Sequence, residues 1–393
     1  MEKGLYARVS KCQRHEAPAT MAVHPSLELD HILKPTLAPS VATPTVSQPS
    51  TQNRMLKLLR GTRERRISVR AIITFGLATA AVGRIVSATA QHTIYVCGYN
   101  FSVLAEAVFP EFQIHTWSAE SVSKPYDIML ASGPHCRHVS RFSGRVLYVD
   151  GESGEVPEHI QKHPRIYYLG CCAPPAFRGP TVSMYHIAHT TLFHDYDAQD
   201  FLRPRSGPVG QHFLAYINSH CVGFREDSMD TIAKLAREKG YARPHALGKC
   251  HGKEPYTEWL YAGDKTDRIK NVAVKLRSYR FALVMENSYT KGYITEKIAN
   301  AFISGSIPIY YGTTDIFHIF NRNAFIYYDI NDPAMALKRI SSLEENPELY
   351  NEMRAQPILA NGKQTISDFF SLRVDIGDGE LRNTIRSLVL AST

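Results

Sequence analysis

FALVMENSYTKGYITEKIANAFISGSIPIYYG, residues 281–312, is the stretch that decides the fold. Phe281–Met285 is an uninterrupted apolar run of strand length, the pattern of a strand buried on both faces of a parallel sheet. Glu286-Asn287-Ser288 follows at its carboxyl end, where open α/β sheets place their ligands. Tyr289–Tyr293 is a polar loop containing Gly292. Ile294–Ser304 reads as a helix, with Ile294, Ile298, Ala301 and Phe302 on one face. Thr295, Glu296 and Lys297 fall in its first turn, where backbone N–H groups lack partners and attract anions. A lysine there opposes the helix dipole, a penalty that a bound diphosphate would reverse. Gly305 ends the helix, and Ile307–Tyr311 returns as the next strand.

The same alternation runs outward in both directions. Upstream, short β-rich runs occur at Thr93–Cys97, Phe112–Trp117, Tyr126–Ala131, Arg145–Val149 and Arg165–Leu169. After a long irregular link, a second series comprises Phe213–Asn218, His245–Leu247, Phe281–Met285, Ile307–Tyr311 and Phe325–Tyr328. Helical patterns lie between, at Glu226–Glu238, Val272–Ser278, Ile294–Ser304 and Pro333–Leu343. Strands alternating with helices imply parallel sheets of βαβ units. Two series predict an α/β chain of two Rossmann-like domains facing a cleft, with residues 91–205 as the first, 206–365 as the second, and a C-terminal helix over 366–393.

The segment before these series has a different composition. Pro, Ser, Thr and Ala dominate between Pro35 and Pro49, too few large apolar groups to offset ordering entropy, so residues 1–66 are expected to be a disordered tail. The cluster Arg60, Arg63, Arg65, Arg66 and Arg70 precedes the uncharged run Ala71–Gly83, which Arg84 interrupts. A basic flank before an apolar run fits a signal anchor over residues 67–90, although the run falls short of the ~20 residues of a spanning helix. A buried helix or a transit-like leader is the alternative. Twelve of the 45 Lys/Arg and five of the 37 Asp/Glu fall in residues 1–70, leaving 33 against 32 in the body. A near-neutral body argues against a nucleic-acid surface, which needs many phosphate contacts. The seven cysteines form no Cys-x-x-Cys pair, and no disulfide can be assigned from their spacing. Asp195-Tyr-Asp197 formally matches a metal–nucleotide motif but sits in the irregular link. His135-x-x-His138 and His186-x-x-His189 lack a nearby third ligand.

Glu286-Asn287-Ser288, Tyr293-Ile294-Thr295-Glu296-Lys297 and Ile307-Pro308-Ile309-Tyr310-Tyr311-Gly312 together resemble the signature of the α-1,3/4-fucosyltransferases, most nearly that of the shorter, bacterial-type members. A weaker resemblance runs from about Thr93 to Leu359. Phe213–Arg225, FLAYINSHCVGFR, resembles the family's strand and Ser-Asn-like turn before an arginine that opens a helix, and His245–Cys250 resembles its Gly-Lys-Cys segment. RVLYVDGESGE, from Arg145, resembles the strand that ends at the family's catalytic glutamate, which falls on Glu152 with Asp150 and Glu155 as close rivals.

The resemblance implies a GT-B architecture and an inverting transfer of L-fucose from GDP-fucose to a glycan hydroxyl, with α-1,3 linkage to N-acetylglucosamine. It implies Glu152 as the base, Arg225 and Lys297 on the diphosphate, Glu296 on ribose or fucose hydroxyls, and Asn287 and Tyr293 lining the donor pocket. No metal cofactor is expected, since two side-chain cations serve the leaving group. The implied partners are GDP-fucose and a glycan on a glycoprotein or glycolipid, with a possible membrane anchor and no nucleic acid; the implied location is the Golgi membrane, single-pass type II. A different nucleotide-sugar donor and an inactive sugar- or nucleotide-binding homologue are the alternatives. Vertebrate members carry C-terminal Cys-x-x-Cys disulfides, and this chain departs from them in having none.

Overall fold

A computed structural model describes residues 92–390, apart from 134–135, 151–155, 171–172, 174–176, 192–195, 206 and 262–268. The expected tail and anchor, the candidate base Glu152 with its rival Glu155, His135 and Asp195 all lie outside the described residues.

Twelve strands among the described residues form two six-stranded sheets. The first comprises β1 (Thr93–Cys97), β2 (Gln113–Thr116), β3 (Ile128–Ala131), β4 (Arg145–Val149), β5 (Ile166–Leu169) and β6 (Thr181–Val182), in the order β2-β1-β3-β4-β5-β6. The second comprises β7 (His212–Tyr216), β8 (His245–Ala246), β9 (Glu258–Trp259), β10 (Tyr279–Met285), β11 (Ile307–Tyr311) and β12 (Ile326–Tyr327), in the order β12-β11-β10-β7-β8-β9. All pairings within both sheets are parallel. Parallel strands need crossovers, and helices supply them, covering both faces. This is why β3, β4 and β11 are buried at every position.

The hydrophobic core is layered accordingly. Phe213, Phe281, Ile309, Met229 and Ile340 pack one face of the second sheet. Met129, Val146, Tyr148, Trp117 and Phe142 pack one face of the first. A single larger cluster joins the remaining faces, running from Ile94, Leu130 and Leu147 through Leu381 and Ile385 to Val284, Ile298 and Phe302. The C-terminal helix Glu380–Leu390 belongs to that cluster. It returns to the first sheet, where Arg382 Nε donates to Ala107 O at 3.2 Å and Arg386 Nη1 to Val108 O at 2.8 Å.

Two pairs of cysteines meet. Cys97 at the end of β1 bonds to Cys136, and Cys221 after β7 bonds to Cys250 after β8. Both pairs join segments at carboxyl ends of strands, a proximity that arises only once the sheets have formed.

Candidate active site

The carboxyl ends of β7 and β10 lie side by side, because these strands pair directly. Four polar residues are buried there: Glu286 at 0% exposure, Arg225 at 1%, Thr295 at 2% and Asn218 at 5%. Buried polar groups on this scale need partners, and the partners define the site.

Glu286 follows β10 directly. Its carboxylate accepts from the Thr295 backbone N–H at 2.7 Å, from Thr295 Oγ1 at 3.0 Å and 2.9 Å, and from Lys297 Nζ at 3.1 Å. Lys297 Nζ also donates to Thr295 Oγ1 at 2.8 Å. Thr295 is the N-cap of the helix Glu296–Ser304, but its hydroxyl turns back to Glu286 and does not cap the helix. The helix therefore starts at Glu296, two residues later than its apolar pattern indicates. The lysine in its first turn is neutralised by Glu286 within the protein, so the opposition to the helix dipole is already relieved.

Arg225 sits in the first turn of the helix Gly223–Lys239. Its Nε donates to Glu286 O at 3.2 Å, Nη1 to His220 O at 3.2 Å, and Nη2 to Met285 O at 2.6 Å and to Asn287 Oδ1. Four of its five N–H groups are thus spent on the chain, leaving one on Nη1. Burial lowers its pKa from the ordinary value, while Tyr216, Glu286 and Tyr293 work in the opposite direction. Asn287 Nδ2 continues the network to the Tyr293 hydroxyl at 3.4 Å. The His186 ring lies 5.8 Å from that of Tyr293, so a segment of the link following the first sheet reaches this site.

The structure therefore brings Arg225, Asn287, Tyr293 and Lys297 into one network. Glu296 opens the helix beside them, half-buried, and makes no side-chain hydrogen bond among the described residues. One carboxylate, Glu286, faces two cations, so the network carries net positive charge suited to an anion. Lys297 and Asn218 also line a small cavity of about 30 Å³ between the paired strands β7 and β10 and the helix Ile269–Leu276. Asn218 Nδ2 has no hydrogen-bond partner among the described residues.

Several supporting residues carry no signal in a linear motif. Asp315 Oδ2 accepts from Gly292 N at 2.7 Å and from Thr313 Oγ1 at 3.1 Å, fixing the loop before the helix. Glu226 accepts from Tyr216 Oη at 2.5 Å and from the backbone N–H groups of His251 and Gly252 at 3.1 Å and 2.7 Å. Asp230 accepts from those of Lys253 and Glu254, both at 2.7 Å. Together with Cys221–Cys250, these carboxylates hold residues 250–254 against the helix Gly223–Lys239. Only the spacing Glu286…Thr295…Lys297 was visible in advance, within the quoted stretch.

On the first sheet, Asp150 directly follows β4 and accepts from the Tyr168 hydroxyl at 2.5 Å, so this rival for the base is tied to a neighbouring strand. Asp197 is used as a helix cap: its Oδ1 accepts from Gln199 N at 2.9 Å, and its own N–H donates to Asp200 Oδ2 at 3.0 Å. No group of three His, Cys, Asp or Glu side chains suited to a metal occurs among the described residues. No helix among them is long and apolar enough to cross a membrane.

Residues 211–354, which contain this network, match the profile of glycosyltransferase family 10 (fucosyltransferase), C-terminal part. A putative fucosyltransferase of Acanthamoeba polyphaga mimivirus is 30% identical over 164 residues, 41% of this chain and 26% of that protein. The mouse 4-galactosyl-N-acetylglucosaminide 3-alpha-L-fucosyltransferase 9 is 34% identical over 109 residues, 27% of each chain. The matched part thus spans about a quarter of the length of these curated relatives. The crystal structure of an alpha1,3-fucosyltransferase with GDP superposes with a TM-score of 0.50 at 14% identity, covering 77% of this chain and 91% of that one. Two parallel six-stranded sheets in that arrangement are the GT-B fold. The chain thus has the GT-B fold, and its residues 211–354 carry a region similar to the C-terminal part of glycosyltransferase family 10 (fucosyltransferase).

Proposed function

We propose that this protein is an inverting fucosyltransferase that moves L-fucose from GDP-fucose to a hydroxyl of an acceptor glycan, forming an α-1,3 linkage to N-acetylglucosamine. The observation that carries the reading is the buried network of Glu286, Thr295, Lys297, Arg225, Asn287 and Tyr293. It presents two cations at the carboxyl edge of the second sheet, inside the segment that matches the family. The names of the relatives supply the sugar; the network supplies the reason for an anionic leaving group.

In the proposed step the acceptor oxygen attacks the anomeric carbon of fucose. The bond from that carbon to the β-phosphate oxygen breaks, and its electron pair leaves with GDP. The hydroxyl proton passes to the Glu152 carboxylate, which follows β4 in sequence. Lys297 and the remaining Nη1 hydrogen of Arg225 meet the charge growing on the diphosphate, which stabilises the transition state more than the bound donor. Glu296, without a side-chain hydrogen bond among the described residues, orients ribose or fucose hydroxyls, and Asn287 and Tyr293 wall the pocket. Two side-chain cations support transfer without a metal cofactor. The glycan is carried by a glycoprotein or glycolipid, and residues 67–90 anchor the chain in the Golgi membrane.

The deciding experiment pairs nucleotide calorimetry with transfer assays over a panel of nucleotide sugars. GDP should bind and GDP-fucose should be the donor used. Tighter binding of UDP than GDP would overturn the reading. Excess chelator should leave transfer intact, and loss of activity with rescue by manganese would return Asp195-Tyr-Asp197 to consideration. Glu152→Gln should leave GDP affinity unchanged and lower transfer by roughly 10²–10⁴, the usual worth of a general base.

A further inference from the structure

Asn100-Phe101-Ser102 is the one place in the sequence where an asparagine stands two residues before a serine or threonine with no proline between them. None of the other asparagines has that hydroxyl. The pattern is the acceptor signal for joining a glycan to an asparagine amide, and it belongs on a surface loop of a secreted chain. Three residues can form such a pattern by chance, so the surroundings decide whether it can be used.

The triplet leaves the carboxyl end of β1 and runs into the helix Ser102–Val108. The residues around Asn100 are held inward. Gly98 has φ +95°, and a Cβ there would lie 1.8 Å from Ser132 O, so the ends of β1 and β3 approach closely only because it is glycine. Tyr99 N donates to Ser132 Oγ at 2.8 Å, and the Tyr99 ring lies over Gly133, where a Cβ would come within 2.7 Å of it. Phe101 is 9% exposed and belongs to the largest core cluster. Between these two anchored neighbours, Asn100 is exposed. Its Oδ1 accepts from Ser102 N at 3.0 Å. The carbonyl half of the amide is thus occupied locally, while Nδ2, the atom that would carry the sugar, makes no hydrogen bond among the described residues.

The same stretch bears a second, independent mark of the compartment in which such attachment occurs. Cys97, at the end of β1, is bonded to Cys136, and Cys221 to Cys250. Disulfides form and persist in oxidising surroundings such as the lumen of the endoplasmic reticulum, and they are rare in the cytosol.

We propose that Asn100 is a modification site that receives one N-linked oligosaccharide from a lipid-diphosphate donor as the chain enters the lumen. The inference goes beyond the transferase reading and rests only on the lumenal placement given with it. In the step, Asn100 Nδ2 attacks the anomeric carbon of the donor's first sugar. The bond from that carbon to the phosphate oxygen breaks, its electron pair leaves with the lipid diphosphate, and the proton released from Nδ2 passes to a base of the transferring enzyme. The Ser102 hydroxyl is the group by which that enzyme selects this asparagine. The product keeps every core contact, since the sugar replaces one hydrogen of an exposed amide. It stands beside the Tyr99 ring, which is 47% exposed.

The test translates the full chain in the presence of microsomes from endoplasmic reticulum. Protease protection reports entry into the lumen, and gel mobility before and after peptide N-glycosidase reports the glycan. The native chain should be protected and should run one discrete step heavier, and the glycosidase should abolish the step and convert the modified asparagine to aspartate, located by mass spectrometry. Asn100→Gln and Ser102→Ala should both lose the step completely, although Ser102→Ala keeps the asparagine, and Ser102→Thr should retain it. Attachment happens on the entering chain, so the readout does not depend on whether a variant folds. A protected native chain without the step would overturn the proposal and leave the lumenal placement standing. A native chain open to protease would overturn the placement and the proposal with it. A step that survives Asn100→Gln would show that the glycan sits elsewhere.

Discussion

Lys297 and Glu286 set the chemistry of the second sheet between them. The carboxylate is fully buried while the ammonium keeps 26% of its side-chain surface, so the lysine is the partner that can still meet a ligand. Lys297→Ala removes that charge. A charged hydrogen bond contributes ~1.5–3 kcal/mol, so GDP affinity measured by calorimetry should fall by roughly one to two orders of magnitude. Glu286→Ala acts differently, since it leaves the Thr295 N–H and the Lys297 ammonium without their acceptor. Its primary signature should be stability, a loss of about 3 kcal/mol in denaturant titration, as for a broken buried pair. A Glu286→Ala chain of native stability would show that the carboxylate is not holding the helix start. Asn287, Tyr293, Glu296 and Lys297 were legible because they are neighbours in the sequence. Arg225 was legible only through resemblance. Its main partners are the backbone carbonyls of His220, Met285 and Glu286, which no side-chain pattern records.

At the level of elements, the loop 250–254 shows how a site is framed from behind. Two carboxylates on one helix bind its backbone N–H groups, and a Cβ at Gly252, where φ is +68°, would lie 2.3 Å from Asp230 Oδ1. The Cys221–Cys250 bond closes 29 residues of sequence separation, for which chain entropy gives about 3.6 kcal/mol. Replacing both cysteines by serine should lower the melting temperature and shift the protease-sensitive site to this loop. An unchanged melting point under oxidising conditions would count against that. The opposite end of the same strands holds a titrating group. His245 on β8 shares a hydrogen bond with Tyr279 Oη at 2.9 Å, and its ring lies tilted 4.9 Å from that of His212. Burial lowers its pKa, Glu258 opposes that, and His212 lowers it further. A depressed folded-state pKa means the unfolded chain binds the proton first. The contribution of His245 is thus complete above its unfolded pKa of ~6.5 and is lost as pH falls below it. Melting curves from pH 7.5 to 5 should fall less steeply for His245→Gln than for the native chain. The sequence pattern found ten of the twelve strands, the two-residue β8 and β12 among them, and overlooked β6 and β9, two-residue edge strands too short to show a periodicity. It also began the helix at Ile294, because the recruitment of Thr295 by Glu286 is a tertiary event.

The whole molecule is closed by its own C-terminus. The helix Glu380–Leu390 comes last in the described chain, yet it packs against the helix Ser102–Val108 and β6, inside the cluster that also contains residues of β1, β3, β4, β10 and the helix Glu296–Ser304. The alternation of strands and helices revealed two sheets, but it could not show this return, because the contacts join residues more than 270 positions apart. Leu381, Ile385 and Val389 are buried in that cluster. At roughly 2 kcal/mol each, their burial contributes about 6 kcal/mol, comparable to the ~5–15 kcal/mol that stabilises a whole domain. Arg386 adds an ion pair with Glu111 at the rim, a contribution of less than about 1 kcal/mol at this exposure. A chain ending at Gly379 should therefore lose the cooperativity of the first sheet. Amide protons of β1, β3 and β4 should exchange rapidly while those of β10 and β11 stay protected. Ile385→Ala is the milder version, with an expected cost of about 2–4 kcal/mol and a chain that still folds. Arg386→Ala should be nearly silent. If the truncated chain melted with native cooperativity, the helix would be an appendage to the first sheet. If Arg386→Ala cost as much as Ile385→Ala, polar contacts and not apolar burial would be holding the helix in place.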